Sequence, residues 1–118
     1  MGVTVKQEDF TFVAGNDPTV TLTIKADDVA VDLTGATVEV YVKDDVHKSD
    51  VDASTKKLSS TVPAEITISN QTTNKGELKV FFTSTHIGGN APKHYRLDVI
   101  ASARRQTYGY GRLYKINL

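Results

Sequence analysis

"DLTGATVEVYVK", residues Asp32–Lys43, is the stretch whose reading decides the fold. Asp32-Leu33-Thr34-Gly35 forms a tight polar turn, and after it Val38, Val40 and Val42 alternate with Thr37, Glu39, Tyr41 and Lys43. Successive side chains of a strand point to opposite faces, so this period of two predicts a strand with one buried face, delivered by the turn. The same alternation recurs upstream. "DFTFVAG" carries Phe10 and Phe12 and ends in the turn cluster Gly15-Asn16-Asp17-Pro18. "TVTLTIKA" sets Val20, Leu22 and Ile24 against threonines and Lys25 until Asp27-Asp28 breaks it. "VAVDLTG" is a short extended piece with Val29, Val31 and Leu33 in register.

Downstream, residues 44–62 lose the pattern. A polar stretch of that length inside a compact domain is expected to be mobile, functional, or host to a short edge strand. Alternation resumes in "AEITISN", with Ile66 and Ile68, in "ELKVFFT", with Leu78, Val80 and Phe82, and in "YRLDVIA", with Tyr95, Leu97 and Val99. "STHIGGNAPKH" makes a corner with room for one helical turn. "ARRQTYGY" and "GRLYKINL" are expected to close the chain as a pair of strands, Gly109 and Gly111 marking a bulge or a tight approach. Seven to eight short strands separated by turn clusters predict an all-β, antiparallel, immunoglobulin-like β-sandwich. Its core is expected from Phe12, Val20, Leu22, Ile24, Val38, Val40, Val42, Leu78, Val80, Phe82, Leu97 and Val99.

The chain has 118 residues and no cysteine. That length suits a single domain over 1–118, which buries roughly two-thirds of the surface of its unfolded chain. Without cysteine there is no disulfide or cysteine-held zinc, and packing and sheet hydrogen bonds must hold the fold. "MGVTVKQEDF" lacks the apolar run of a signal peptide, and no run is long enough for a membrane helix. Gly2 is no myristoylation site, because Lys6 stands where Ser or Thr is needed. A soluble protein made in the cytoplasm, with no membrane partner, is expected.

Charge is unevenly spread. Residues 1–59 hold six lysines against eleven acidic residues, net −5, and residues 60–118 hold eight basic against three acidic, net +5. The zero total argues against a nucleic-acid binder, which needs a clustered basic surface. Unlike halves favour head-to-tail contact between copies of the chain.

Chemistry-bearing motifs are sparse. His47, His86 and His94 stand at no metal-ligand spacing. Asp44, Asp45, Asp50 and Asp52 cluster without the order of an EF-hand, among the competing lysines Lys48, Lys56 and Lys57. No serine sits in a G-x-S-x-G elbow, and "GNDPT" and "IGGNAP" lack the lysine of a phosphate loop. Asn70-Gln71-Thr72 matches a glycosylation sequon, which matters only on secretion. Catalytic residues, metals and cofactors are therefore not expected. Arg104, Arg105, Arg112 and Lys115, interleaved with Tyr108, Tyr110 and Tyr114, fit either an aromatic and basic surface for a sugar or a nucleic acid or, by default, strands that bury one face of these residues and expose the other.

The succession "FTFVAGNDPTVTLTI", "VDLTGATVEVYVK", "GELKVFFT", "HYRLDVI" and "YGYGRLYKI" resembles the immunoglobulin-like domain at the N-terminus of tailed-phage baseplate upper proteins and in related small tail and fibre proteins. The resemblance spans nearly the whole chain, with the "DLTGA" turn and the closing "G-R-L" strand as its most specific parts. It implies a virion structural protein with no active site, an assembly or adaptor component of tail, baseplate or fibre. Its partners would be other phage structural proteins and further copies of itself. The group's baseplate members continue into a coiled coil or receptor-facing segment, whereas this sequence stops with its last strand, which fits an adaptor, a decoration on a tail or head, or a fragment of something longer. The contact surface is expected on Asp44, Asp45, His47 and Lys48 of the polar stretch and on Arg104, Arg105, Tyr108, Tyr110, Arg112 and Tyr114 of a C-terminal strand at a sheet edge. The alternative function is a carbohydrate-binding or cell-surface adhesion module.

Overall fold

A computed structural model of the chain describes residues 6–45, 47–87 and 93–116. These are nearly all-β. In chain order the elements are β1 (Lys6–Gln7), β2 (Phe10–Val13), β3 (Thr19–Thr23), β4 (Lys25–Ala26), β5 (Val29–Ala30), β6 (Thr37–Lys43), β7 (Lys56–Ser59), β8 (Ile66–Ile68), β9 (Glu77–Phe81), α1 (Ser84–Ile87), β10 (Lys93–Ala101) and β11 (Arg104–Ile116). The larger sheet has the order β1-β11-β10-β6-β7, with β2 also on β11; a second sheet has the order β3-β9-β8, and β4 and β5 form a small ribbon.

Three features depart from the sequence reading. Among the described residues eleven strands exceed the expected seven to eight, partly because β1, β4 and β5 are only two residues long; β7 is the short edge strand expected as one outcome for the polar stretch 44–62. The closing pair of strands is one continuous strand, β11. The larger sheet is mixed rather than antiparallel, because β1 and β2 run parallel to β11 while β10 and β6 pair antiparallel. It follows that β11 is an interior strand, flanked by β10 and by β1 and β2, and the C-terminal strand is not a sheet edge.

The opening turn is closed by its own side chains. Asp32 Oδ1 accepts the Thr34 N–H at 2.9 Å and the Thr34 hydroxyl at 2.6 Å, and the Ala36 N–H returns to the Leu33 carbonyl at 3.0 Å. Gly35 takes φ +74°, a left-handed conformation that costs glycine little. Val38, Val40 and Val42 then face Val99, Leu97 and Tyr95 of β10. With Leu58 and Leu113 they meet Val20, Ile66, Leu78 and Val80 of the smaller sheet in one buried cluster. Every residue read as core is buried except Leu22, which is half-buried on β3, an outermost strand of the smaller sheet. Tyr95, Phe10, Phe12 and Phe82 form a chain of ring contacts 5.7–6.3 Å apart that ties β10 and β2 to the residue following β9.

Both glycines of β11 mark irregularities. Leu97 pairs with Gly109 and Asp98 with Thr107, so Tyr108 is an extra residue, a β-bulge, and its ring packs against the core. Beyond it, Gly111 lies where the chain steps from β1 to β2. The Glu8 N–H donates to the Tyr110 carbonyl, the Tyr95 hydroxyl to the Glu8 carbonyl, and the Arg112 N–H to Asp9 Oδ1. A Cβ on Gly111 would stand 2.0 Å from the Glu8 carbonyl oxygen.

Candidate functional site

Alternation along β6 predicts that Glu39, Tyr41 and Lys43 face water, yet Glu39 is 8% and Tyr41 6% exposed. They are covered by long side chains from neighbouring strands. Register sets Glu39 beside Asp98 and Tyr41 beside Arg96, while the bulge places Thr107 opposite Asp98 and leaves Tyr110 opposite Arg96. Asp98, fully buried, accepts hydrogen bonds from Arg96 Nε and Nη2, Arg105 Nη1 at 2.9 Å and the Thr107 hydroxyl at 2.7 Å. Arg105 also pairs with Glu39 at 2.8 Å, and Glu39 accepts the Tyr41 hydroxyl at 2.8 Å. Asp50, from the polar stretch, bridges Arg96 and Lys43, each at 2.7 Å. The guanidinium carbons of Arg96 and Arg105 lie 4.9 and 5.8 Å from the centre of the Tyr41 ring, within cation–π range. The outer face of the larger sheet thus carries a fixed, alternating ion network.

Electrostatics follow from this geometry. The Arg96 hydrogen bond, with help from Lys43 and against partial burial, lowers the Asp50 pKa to about 2. Burial alone would raise the pKa of Asp98, but the hydrogen bonds from Arg96, Thr107 and Arg105 outweigh it and the net shift is downward. Burial likewise opposes, and the Tyr41 and Arg105 bonds with Lys57 reverse, the shift at Glu39. Carboxylates with depressed folded-state pKa contribute stability above their unfolded pKa, near 3.8 for Asp, and lose it as pH falls through the folded value. Stability to urea should therefore hold down to about pH 4 and fall steeply between about pH 4 and 2. In Asp50→Asn that acid slope should be shallower; an identical slope would remove Asp50 from the network's energetics.

Beside the network lies an open groove of about 300 Å³. Tyr41, Lys43, His94, Arg96, Tyr110 and Arg112 line it, with Gln7 at the β1 side. Of the surface residues expected from sequence, Tyr110 and Arg112 are in this groove, Arg105 is in the adjoining network, and Tyr114 is exposed further along β11. Arg104 begins β11 after the positive-φ turn Ser102-Ala103, and Tyr108 turns to the core. The polar-stretch residues are spoken for elsewhere. Asp44 pairs with Lys93, Asp45 accepts the His47 N–H, and Lys48 donates to Ser54. Lys43, Arg96 and Asp98 belong to no sequence motif, and Asp50 and His94 enter the sequence analysis only as candidate metal ligands, though His94, Arg96 and Asp98 alternate with the apolar Tyr95, Leu97 and Val99 along β10.

His86 caps the start of α1, its Nδ1 accepting the Thr83 N–H, and burial lowers its pKa. Among the described residues no three His, Cys, Asp or Glu side chains are grouped so as to hold a metal ion. No described helix is long and apolar enough to cross a membrane. Compared with known proteins, the chain matches no family model and no curated protein.

Proposed function

We propose that the chain is a non-catalytic assembly module of a phage particle, an immunoglobulin-like β-sandwich that docks on a neighbouring structural protein of the tail, baseplate or fibre. The sheet order supports the fold reading: a first strand parallel to the last, beside two central strands, faces a three-stranded sheet across one core. The observation that carries the function is the row Tyr110, Arg112, Tyr114 and Ile116 on β11. Tyr110, Tyr114 and Ile116 are 44%, 36% and 43% exposed, and the row adjoins a platform of immobilised ion pairs. Tyrosine and arginine on a rigid support are the residues that dominate protein interfaces, because they bury much area while losing little side-chain freedom. The partner is a protein of the particle, where several copies of the chain sit together. Mass spectrometry of purified particles should find the chain, and Tyr110→Ala with Arg112→Ala should reduce its incorporation at unchanged folding. Full incorporation of the double variant would remove this surface from the reading.

A second reading rests on the groove. Its volume is at the lower end of small-ligand sites, and tyrosines beside Gln, His and Arg suit a sugar or an acidic saccharide. A glycan array separates the two: specific retention favours a carbohydrate-binding or adhesion module, and no retention favours assembly.

A further inference from the structure

We propose that the chain pairs with a second copy of itself through the open edge of β3, the two β3 strands meeting antiparallel about a two-fold axis at Thr21. This contact is separate from the β11 surface and does not depend on the particle reading. The ladder to β9 is closed at both ends by Phe82 N–H to the Pro18 carbonyl and Ile24 N–H to the Gly76 carbonyl. Hydrogen-bonded pairs alternate along an antiparallel ladder. Val20, Leu22 and Ile24 therefore turn their backbone groups to β9, whereas the N–H and C=O groups of Thr19, Thr21 and Thr23 turn to the opposite side. Among the described residues no strand pairs with β3 on that side.

Other edges are blunted, as unpaired strands in stable proteins usually are. On β7 the outward N–H of Ser59 donates to Glu65 Oε1 at 2.9 Å and its carbonyl accepts the Val62 N–H, leaving Lys57 facing out. The edge formed by β1 and β2 is interrupted at Glu8-Asp9, and β8 has three residues. By contrast, "TVTLT" carries no charge, proline or bulge, and its register with β9 is unbroken.

The occupant follows from the sequence of the edge itself. Thr19-Val20-Thr21-Leu22-Thr23 reads nearly the same in both directions about Thr21. With Thr21 opposite Thr21 of the second copy, Thr19 falls opposite Thr23, and each of these pairs can exchange both of its bonds. The exposed threonines then face one another across the outer surface, a favoured cross-strand pair. Val20 falls opposite Leu22 on the core side, which covers the one expected core residue left half-buried in a single copy. None of the five residues Thr19–Thr23 is charged.

The contact is small, so a concentration-dependent dimer is expected. Sedimentation velocity of the full chain should show dimer growing with concentration and persisting in molar salt, unlike association driven by the −5 and +5 halves. Amide exchange at Thr19, Thr21 and Thr23 should slow as concentration rises. Thr21→Pro deletes an N–H that the β9 ladder does not use, so the monomer should remain folded by circular dichroism while dimerisation weakens on the order of tenfold or more. Thr21→Lys, which leaves the backbone intact, should act in the same direction if the proline variant does not fold. A wild-type chain that is monomeric to millimolar concentration, or a folded Thr21→Lys protein that dimerises unchanged, overturns the proposal.

Discussion

Asp98→Ala should lower the free energy of unfolding at pH 7 by about 3 kcal/mol, at the lower end of the cost of breaking a buried ion pair. The carboxylate is wholly shielded from water, and its charge is balanced by Arg96 and Arg105 and by the Thr107 hydroxyl. Its removal sets two guanidiniums side by side over Tyr41 and leaves a hydroxyl without its acceptor. The cost stays at the lower end because the side chains of Arg96 and Arg105 are 30% and 43% exposed and keep Asp50 and Glu39 as partners. Asp98→Asn preserves shape but offers donors to donors, so it should fall between the two. Urea unfolding measures both. An Asp98→Ala protein within about 0.5 kcal/mol of the parent, the usual range of an inert surface change, would show that the network orders the face without stabilising it.

Gly111→Ala should cost about 2–3 kcal/mol, while Gly109→Ala, two residues earlier on the same strand, should be close to neutral. The added methyl at 111 meets the Glu8 carbonyl oxygen at 2.0 Å, and that carbonyl is held by the Tyr95 hydroxyl. Backbone must move, which detaches β1 from β11. At 109 the nearest atoms lie at 3.6 and 3.9 Å, ordinary contact, and alanine restricts the unfolded chain more than glycine does. Denaturant unfolding of the two variants, with amide exchange at Glu8, tests the contrast. Equal stability would mean that the step at Glu8-Asp9 yields freely.

The period of two made the β6, β9 and β10 cores legible, because burial on one parity is a local property. The half-burial of Leu22 was not legible, because alternation carries no information about neighbours. β7 is the short edge strand allowed for within the polar stretch, and "KKLS" has too few residues for a period to place it more closely. The N-terminal strand covering β11 was not legible either, since Phe10 meets Leu113 across almost the entire chain. The ion network was missed for the same reason. Asp50 finds Arg96, and Glu39 finds Arg105, only after three strands have been brought into register.

Parallel pairing of the first strand with the last has a mechanical consequence. Lys6 lies beside Gly109 and Val13 beside Ile116, so a pull applied outward at Lys6 and at Ile116 runs along the shared ladder in opposite directions. The bonds between β11 and the N-terminal strands are then loaded together, in shear, and cannot be unzipped one after another from an end. Tension between Lys6 and Ile116 is met by this seam before it reaches the core, and yielding requires many hydrogen bonds to break at once.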